Sequence, residues 1–78
     1  MARTRRNGDN AGMEIMLNGE SLTLQDEATV ASLLESQQLA GRRVAVEVNG
    51  EIVPRGRHGE HVLAAGDQVE IVHALGGG

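Results

Sequence analysis

Met13-Glu14-Ile15-Met16-Leu17-Asn18-Gly19-Glu20-Ser21-Leu22-Thr23-Leu24 is the stretch that decides the fold. Met13, Ile15 and Leu17 alternate with Glu14, Met16 and Asn18, the period of two of a strand with one face buried. Asn18-Gly19 reads as a tight hairpin turn, because both residues tolerate the positive φ it needs. Leu22 and Leu24 restore the alternation on the returning strand. The chain therefore opens its folded part with a β-hairpin.

Beyond the hairpin, Asp26 and Glu27 make an acidic loop, and Thr29 is placed to cap a helix with its hydroxyl. Val30, Leu33 and Leu34 form one apolar stripe on a helix expected over about 30–38, with Glu35 and Gln38 on the polar face. Leu39 is expected to close the core and Gly41 to end the helix. Val44, Val46 and Val48 alternate as a third strand, and Asn49-Gly50 signals a second hairpin. Ile52 and Val53 are the short return, stopped by Pro54, which has no N–H for a ladder. After an irregular stretch over 55–61, Val62 and Leu63 are expected to re-enter the core, Ala65-Gly66-Asp67 to turn, and Val69 to Val72 to supply the last strand. This order predicts an α+β domain, one mixed sheet packed on one helix, in the order of a β-grasp fold.

A chain of 78 residues holds one small domain and excludes the enclosed cleft of a two-domain enzyme. It contains no cysteine and no aromatic residue. Its core is therefore aliphatic, without disulfide, thiolate nucleophile or cysteine metal site. Residues 1–12 carry Arg3, Arg5 and Arg6 against Asp9 and show no apolar run, so they read as a disordered basic leader and not as a signal peptide. Met13 is a candidate initiator. Residues 13–78 hold four arginines against ten acids, four positive less ten negative, a charge near −6. That balance disfavours nucleic acid and favours docking on basic protein surfaces. No segment is long and apolar enough to span a membrane, and the expected compartment is the cytoplasm. Lysine is absent as well, so no side-chain amine of the chain can attack an activated acyl group of its own.

Directly after the last expected strand comes Ala74-Leu75-Gly76-Gly77-Gly78. Three glycines have almost no preferred conformation and no side chains, so a carboxylate at their end can enter a channel too narrow for a Cβ. There it can attack the α-phosphorus of ATP, expel pyrophosphate and become an acyl adenylate open to a sulfur nucleophile. Positioning and phosphate stabilisation would belong to the partner enzyme. A glycine run at a chain end is otherwise a frayed terminus or linker; here the direct junction with a strand favours the reactive tail.

Residues 13–78 resemble the ThiS family, the sulfur carrier proteins of thiamine biosynthesis. The likeness is carried by Met13-Glu14-Ile15-Met16-Leu17-Asn18-Gly19-Glu20, by Thr29-Val30-Ala31-Ser32-Leu33-Leu34, and by Val44 through Arg55 with its Val48-Asn49-Gly50-Glu51. It continues from Leu63-Ala64-Ala65-Gly66-Asp67 through Val72 to the closing glycines. The resemblance implies a ubiquitin-like β-grasp domain over 13–75 and a reactive tail over 76–78. It further implies adenylation of Gly78 by a ubiquitin-activating-like adenylyltransferase using ATP and magnesium. Sulfur from a cysteine desulfurase or other persulfide donor would then give a Gly78 thiocarboxylate, which supplies thiazole synthase. Gly77 would be the required neighbour and Gly76 would extend the reach. In this scheme the chain is a cosubstrate, not an enzyme, and binds no cofactor itself. A molybdopterin-synthase small subunit, a non-reactive β-grasp interaction module and a ubiquitin-like modifier are the alternatives. Two features depart from the family pattern: the basic leader, and His58 where relatives often place a tryptophan.

His58, His61 and His73 are candidates for a metal site, but without cysteine or a placed carboxylate they read as ordinary polar surface. Arg42, Arg43, Arg55 and Arg57 are either a docking patch or a solvated face. Val72 and Leu75 are expected at a partner interface just before the tail, with Arg55 and Arg57 as further docking candidates, whereas Ile71 shares the alternation of Val69 and belongs to the core.

Overall fold

The computed structural model describes residues 12–73. Strand β1 (Met13–Leu17) and strand β2 (Glu20–Leu24) form the first hairpin, followed by helix α1 (Val30–Ser36). Strand β3 (Val44–Val48) pairs with the short β4 (Glu51–Ile52), a single 3₁₀ turn spans Arg55–Arg57, and β5 (Gln68–His73) ends the described region. The sheet order is β2-β1-β5-β3-β4. All neighbours are antiparallel except β1 and β5, which run parallel at the centre. This is the expected mixed sheet on one helix. The expected leader, and the tail with Leu75, Gly76, Gly77 and Gly78, lie outside the described residues apart from Gly12.

Both hairpins form as their turn residues dictate. Asn18 and Gly19 have φ of 51° and 85°, and Asn49 and Gly50 have 54° and 86°. Positive φ at both central positions gives a turn whose twist matches that of the strands it joins. The core is aliphatic, and Ile15, Val30, Leu33, Val46 and Val69 are its largest fully buried side chains. Each such side chain contributes roughly 1.5–3 kcal/mol through burial.

Thr29 caps α1 as its sequence position requires. Its Oγ1 accepts the Ser32 N–H at 3.1 Å, and its own N–H donates to Ser32 Oγ at 2.9 Å. The other free N–H groups of the first turn are met by a distant loop: Val30 N–H donates to His61 O at 3.0 Å and Ala31 N–H to His58 O at 2.9 Å.

Four expectations are corrected. Helix α1 stops at Ser36 rather than near 38, and Gly41 is not its terminator. Gln38 takes the left-handed conformation, φ 62°. Leu39 N–H then reaches back to Leu34 O at 2.7 Å and Gln38 N–H to Glu35 O at 3.0 Å. That bond pair is a Schellman ending, which turns Leu39 back onto the core. Val62 does not enter the core: it is exposed while Leu63 is buried, since its one-residue bridge to Thr29 lets only alternate side chains face inward. The second return strand is Glu51–Ile52; Val53 continues it, buried, donating to Val46 O at 2.8 Å. His58, read as polar surface, is buried at 9% exposure. Its Nε2 lies 3.1 Å from Val53 O. A carbonyl only accepts, so Nε2 carries the proton there.

Candidate functional site

Strand β5 is the last described element before the glycines of the sequence. Val69 and Ile71 point into the core, so Gln68, Glu70 and Val72 point to the sheet face away from α1. Directly opposed residues share a face. Val72 therefore lies beside Ala45, and Glu70 beside Glu47, which in turn neighbours Ile52. Met16 sits across from Gln68 on the same face. Val72 is 57% exposed and Ile52 59%. The open face thus offers apolar side chains among the carboxylates of Glu14, Glu47 and Glu70.

Two asparagines fasten β5 from both sides. Asn18 Oδ1 accepts the Ile71 N–H at 2.9 Å and Asn18 Nδ2 donates to Ile71 O at 3.3 Å. On the other flank Asn49 Oδ1 accepts the Gln68 N–H at 3.0 Å, and its Nδ2 donates to Asp67 Oδ1 at 3.0 Å. Asp67 Oδ2 closes the turn by accepting the Ala64 N–H at 2.9 Å. Each Asn-Gly turn therefore does two jobs, reversing its own hairpin and extending the ladder onto β5. Hairpin statistics reveal the first job only; the second depends on which strand lies alongside.

The sequence-derived site residues do not all come together. Val72 stands on the open face next to the end of β5. Arg55 and Arg57 are exposed on the 3₁₀ turn that follows β4, across β3 from β5. Val44 pairs with His73, so Arg42 and Arg43, immediately before Val44 in the chain, are the arginines that adjoin the end of β5. Among the described residues, His58, His61 and His73 form no group able to hold a metal ion. No helix of the described residues is long and apolar enough to cross a membrane.

The described chain thus ends on a centrally paired strand with a mixed apolar and acidic face beside it.

Residues 11–78 match the ThiS family. The thiazole synthase of Magnetococcus marinus is 44% identical over 66 residues, 85% of this chain but 20% of that protein. The chain thus spans about a fifth of that longer relative. The sulfur carrier protein ThiS of Bacillus subtilis is 42% identical over 65 residues, covering 82% of this chain and 98% of that protein. The crystal structure of the thiamine biosynthesis protein ThiS from Geobacter metallireducens superposes with a TM-score of 0.70 at 34% identity, over 85% of this chain and 100% of that one.

Proposed function

The chain belongs to the ThiS family, and from that premise we propose that it is a sulfur carrier of thiamine biosynthesis whose Gly78 carboxyl is the reacting group. The observation that carries this reading is the placement of β5. The strand that leads to the glycines is the middle strand of the sheet, held by Asn18 and Asn49, with Val72 exposed beside its end. A centrally anchored strand gives a partner a fixed handle from which to aim the segment that follows.

In this mechanism the chain acts as cosubstrate of partner enzymes and not as catalyst. A Gly78 carboxylate oxygen attacks the α-phosphorus of ATP on an adenylyltransferase, and pyrophosphate leaves with magnesium. The terminal sulfur of a persulfide, formed by a cysteine desulfurase or another donor, attacks the acyl adenylate and AMP departs. A partner thiol then cleaves the acyl disulfide, leaving the thiocarboxylate on Gly78 and a disulfide on the partner side. The chain has no cysteine, so sulfur rides on the acyl group and every thiol in the sequence of steps is a partner's. Gly77 and Gly76 pass through the partner's channel without side chains. Thiazole synthase is the acceptor in this reading, supported by the similarity to a thiazole synthase in which a segment like this chain is part of the same polypeptide.

Intact-mass measurement after incubation with MgATP, the adenylyltransferase and a persulfide source tests the proposal. Replacement of one oxygen by sulfur, lost when Gly78 is deleted, is the expected result. A chain that stays unmodified while a known carrier is modified in parallel overturns it.

A further inference from the structure

We propose that the outer edge of β2, with the groove between β2 and α1, is a second docking surface that takes an extended, basic segment of a partner protein as an added strand. It is separate from the face that bears Val72. A protein held there leaves the end of β5 open to another. The inference rests on the fold and not on the sulfur chemistry, so the two stand or fall separately.

The first support is backbone geometry. Met16 donates its N–H to Asp67 O at 2.9 Å, and Glu14 O accepts the Gly66 N–H at 2.8 Å, both on the side of β1 away from β2. Opposite them in register stand Ser21 and Thr23. In an antiparallel pair these are the non-hydrogen-bonded positions, so Ser21 and Thr23 turn their own N–H and C=O groups outward from the sheet. The opposite edge of the sheet is blunted, because β4 is two residues long and runs into Pro54. Strand β2 is five residues long and has neither proline nor lysine. Among the described residues it is the edge left as a template.

The second support is the groove beside that edge, of about 420 Å³, lined by Leu22, Leu24 and Ala28 with Ser32, Leu33 and Ser36 of α1. It is too large for a single ion and runs along the strand, so it accepts alternate side chains of an added strand. The third is charge. From Met13 to Gly41 there is no arginine, lysine or histidine, while Glu14, Glu20, Asp26, Glu27 and Glu35 are all acidic. Glu20 stands at one end of β2, and Asp26 and Glu27 follow its other end. Every cation of the described region lies after Gly41. Such one-signed framing steers a basic segment to this edge and repels a second copy of the chain.

A short synthetic peptide alternating valine and arginine, titrated into the full-length ¹⁵N-labelled chain, is the test. Amide shifts are expected at Ser21, Thr23, Ser32 and Gln37. A peptide with glutamate in place of arginine should bind at least about ten-fold more weakly. Thr23→Pro removes an outward N–H and should abolish the shifts. Because that variant strains the strand, the paired reversal Asp26→Arg with Glu27→Arg is run beside it, and should weaken binding about ten-fold with the fold intact. The proposal is overturned by equal binding of the two peptides or by shifts centred on Val72. It is equally overturned if removing residues 1–11 alone changes the groove amides, which would make the chain's own leader the occupant, or if sedimentation shows a dimer built through β2.

Discussion

Asn18 brackets Ile71 across 53 positions of sequence, its Oδ1 on the Ile71 N–H and its Nδ2 on the Ile71 carbonyl. The side chain replaces a strand residue where β1 has already turned away, so the parallel ladder continues one step further along β5. Asn18→Gly keeps the positive φ and removes both bonds, leaving the half-buried Ile71 groups to water. A loss of about 1–2 kcal/mol in chemical denaturation is expected. Asn18→Ala adds the left-handed backbone penalty and should cost about 1 kcal/mol more. Unchanged stability in Asn18→Gly beside a loss in Asn18→Ala would show that the turn, and not the bracket, carries the effect.

Gln38 is the left-handed residue that ends α1, and it is exposed. A Cβ is disfavoured there, and glycine removes that penalty while giving back some chain entropy. Gln38→Gly should therefore stabilise the protein by about 0.5–1 kcal/mol, read as a raised denaturation midpoint with unchanged slope. The same change at Gln37, whose φ is −94°, should destabilise instead.

These two positions also mark where the sequence is legible and where it is not. Hairpins at Asn18-Gly19 and Asn49-Gly50, the Thr29 cap and the inward valines of β3 are local signals, each set by residues within a few places of one another. The order of elements followed from them, and the open placement of Val72 from alternation along β5. What could not be read is non-local. Gln38 terminates the helix because Leu39 has to return to the core, and no helix-end preference of glutamine announces it. Asn18 and Asn49 clamp β5 because β5 lies between their hairpins. Arg42 and Arg43, not Arg55 and Arg57, adjoin the end of β5 because β3 pairs with it antiparallel.

His58 is a further such case. A histidine in a polar loop gives no sign of burial, yet its ring bonds to Val53 O while its carbonyl caps Ala31. The loop and the helix start are thereby one unit. His58→Ala leaves a cavity and an unpaired Val53 carbonyl, and should cost about 2–3 kcal/mol in denaturation. Faster hydrogen exchange at Ala31 and Leu63 should accompany it, since both donate into this junction. His61→Ala, on a half-buried side chain with its carbonyl bond to Val30 retained, should cost well under half as much. Comparable losses would refute the separate role of His58.

Val72 and Val69 lie three residues apart on β5 with opposite surroundings, 57% and 1% exposed. Val69→Asp would place a charge in an aliphatic core without a partner and should unfold the domain. Val72→Asp faces solvent between Ala45 and the acids of the open face, so its effect on stability should stay within about 1 kcal/mol. Its effect on recognition should be large. In the proposed function an apolar contact beside the end of β5 would be replaced by a carboxylate, which the partner would have to desolvate. Formation of the Gly78 thiocarboxylate, followed by intact mass over time, should slow at least about ten-fold with Val72→Asp at limiting adenylyltransferase. A saturating concentration of that enzyme should restore much of the rate, because the change weakens docking and leaves the reacting carboxylate alone. Arg55→Ala and Arg57→Ala, on the far side of β3, should slow it less than changes at Arg42 and Arg43. A Val72→Asp protein that is folded and modified at the unaltered rate would remove the open face from the docking surface.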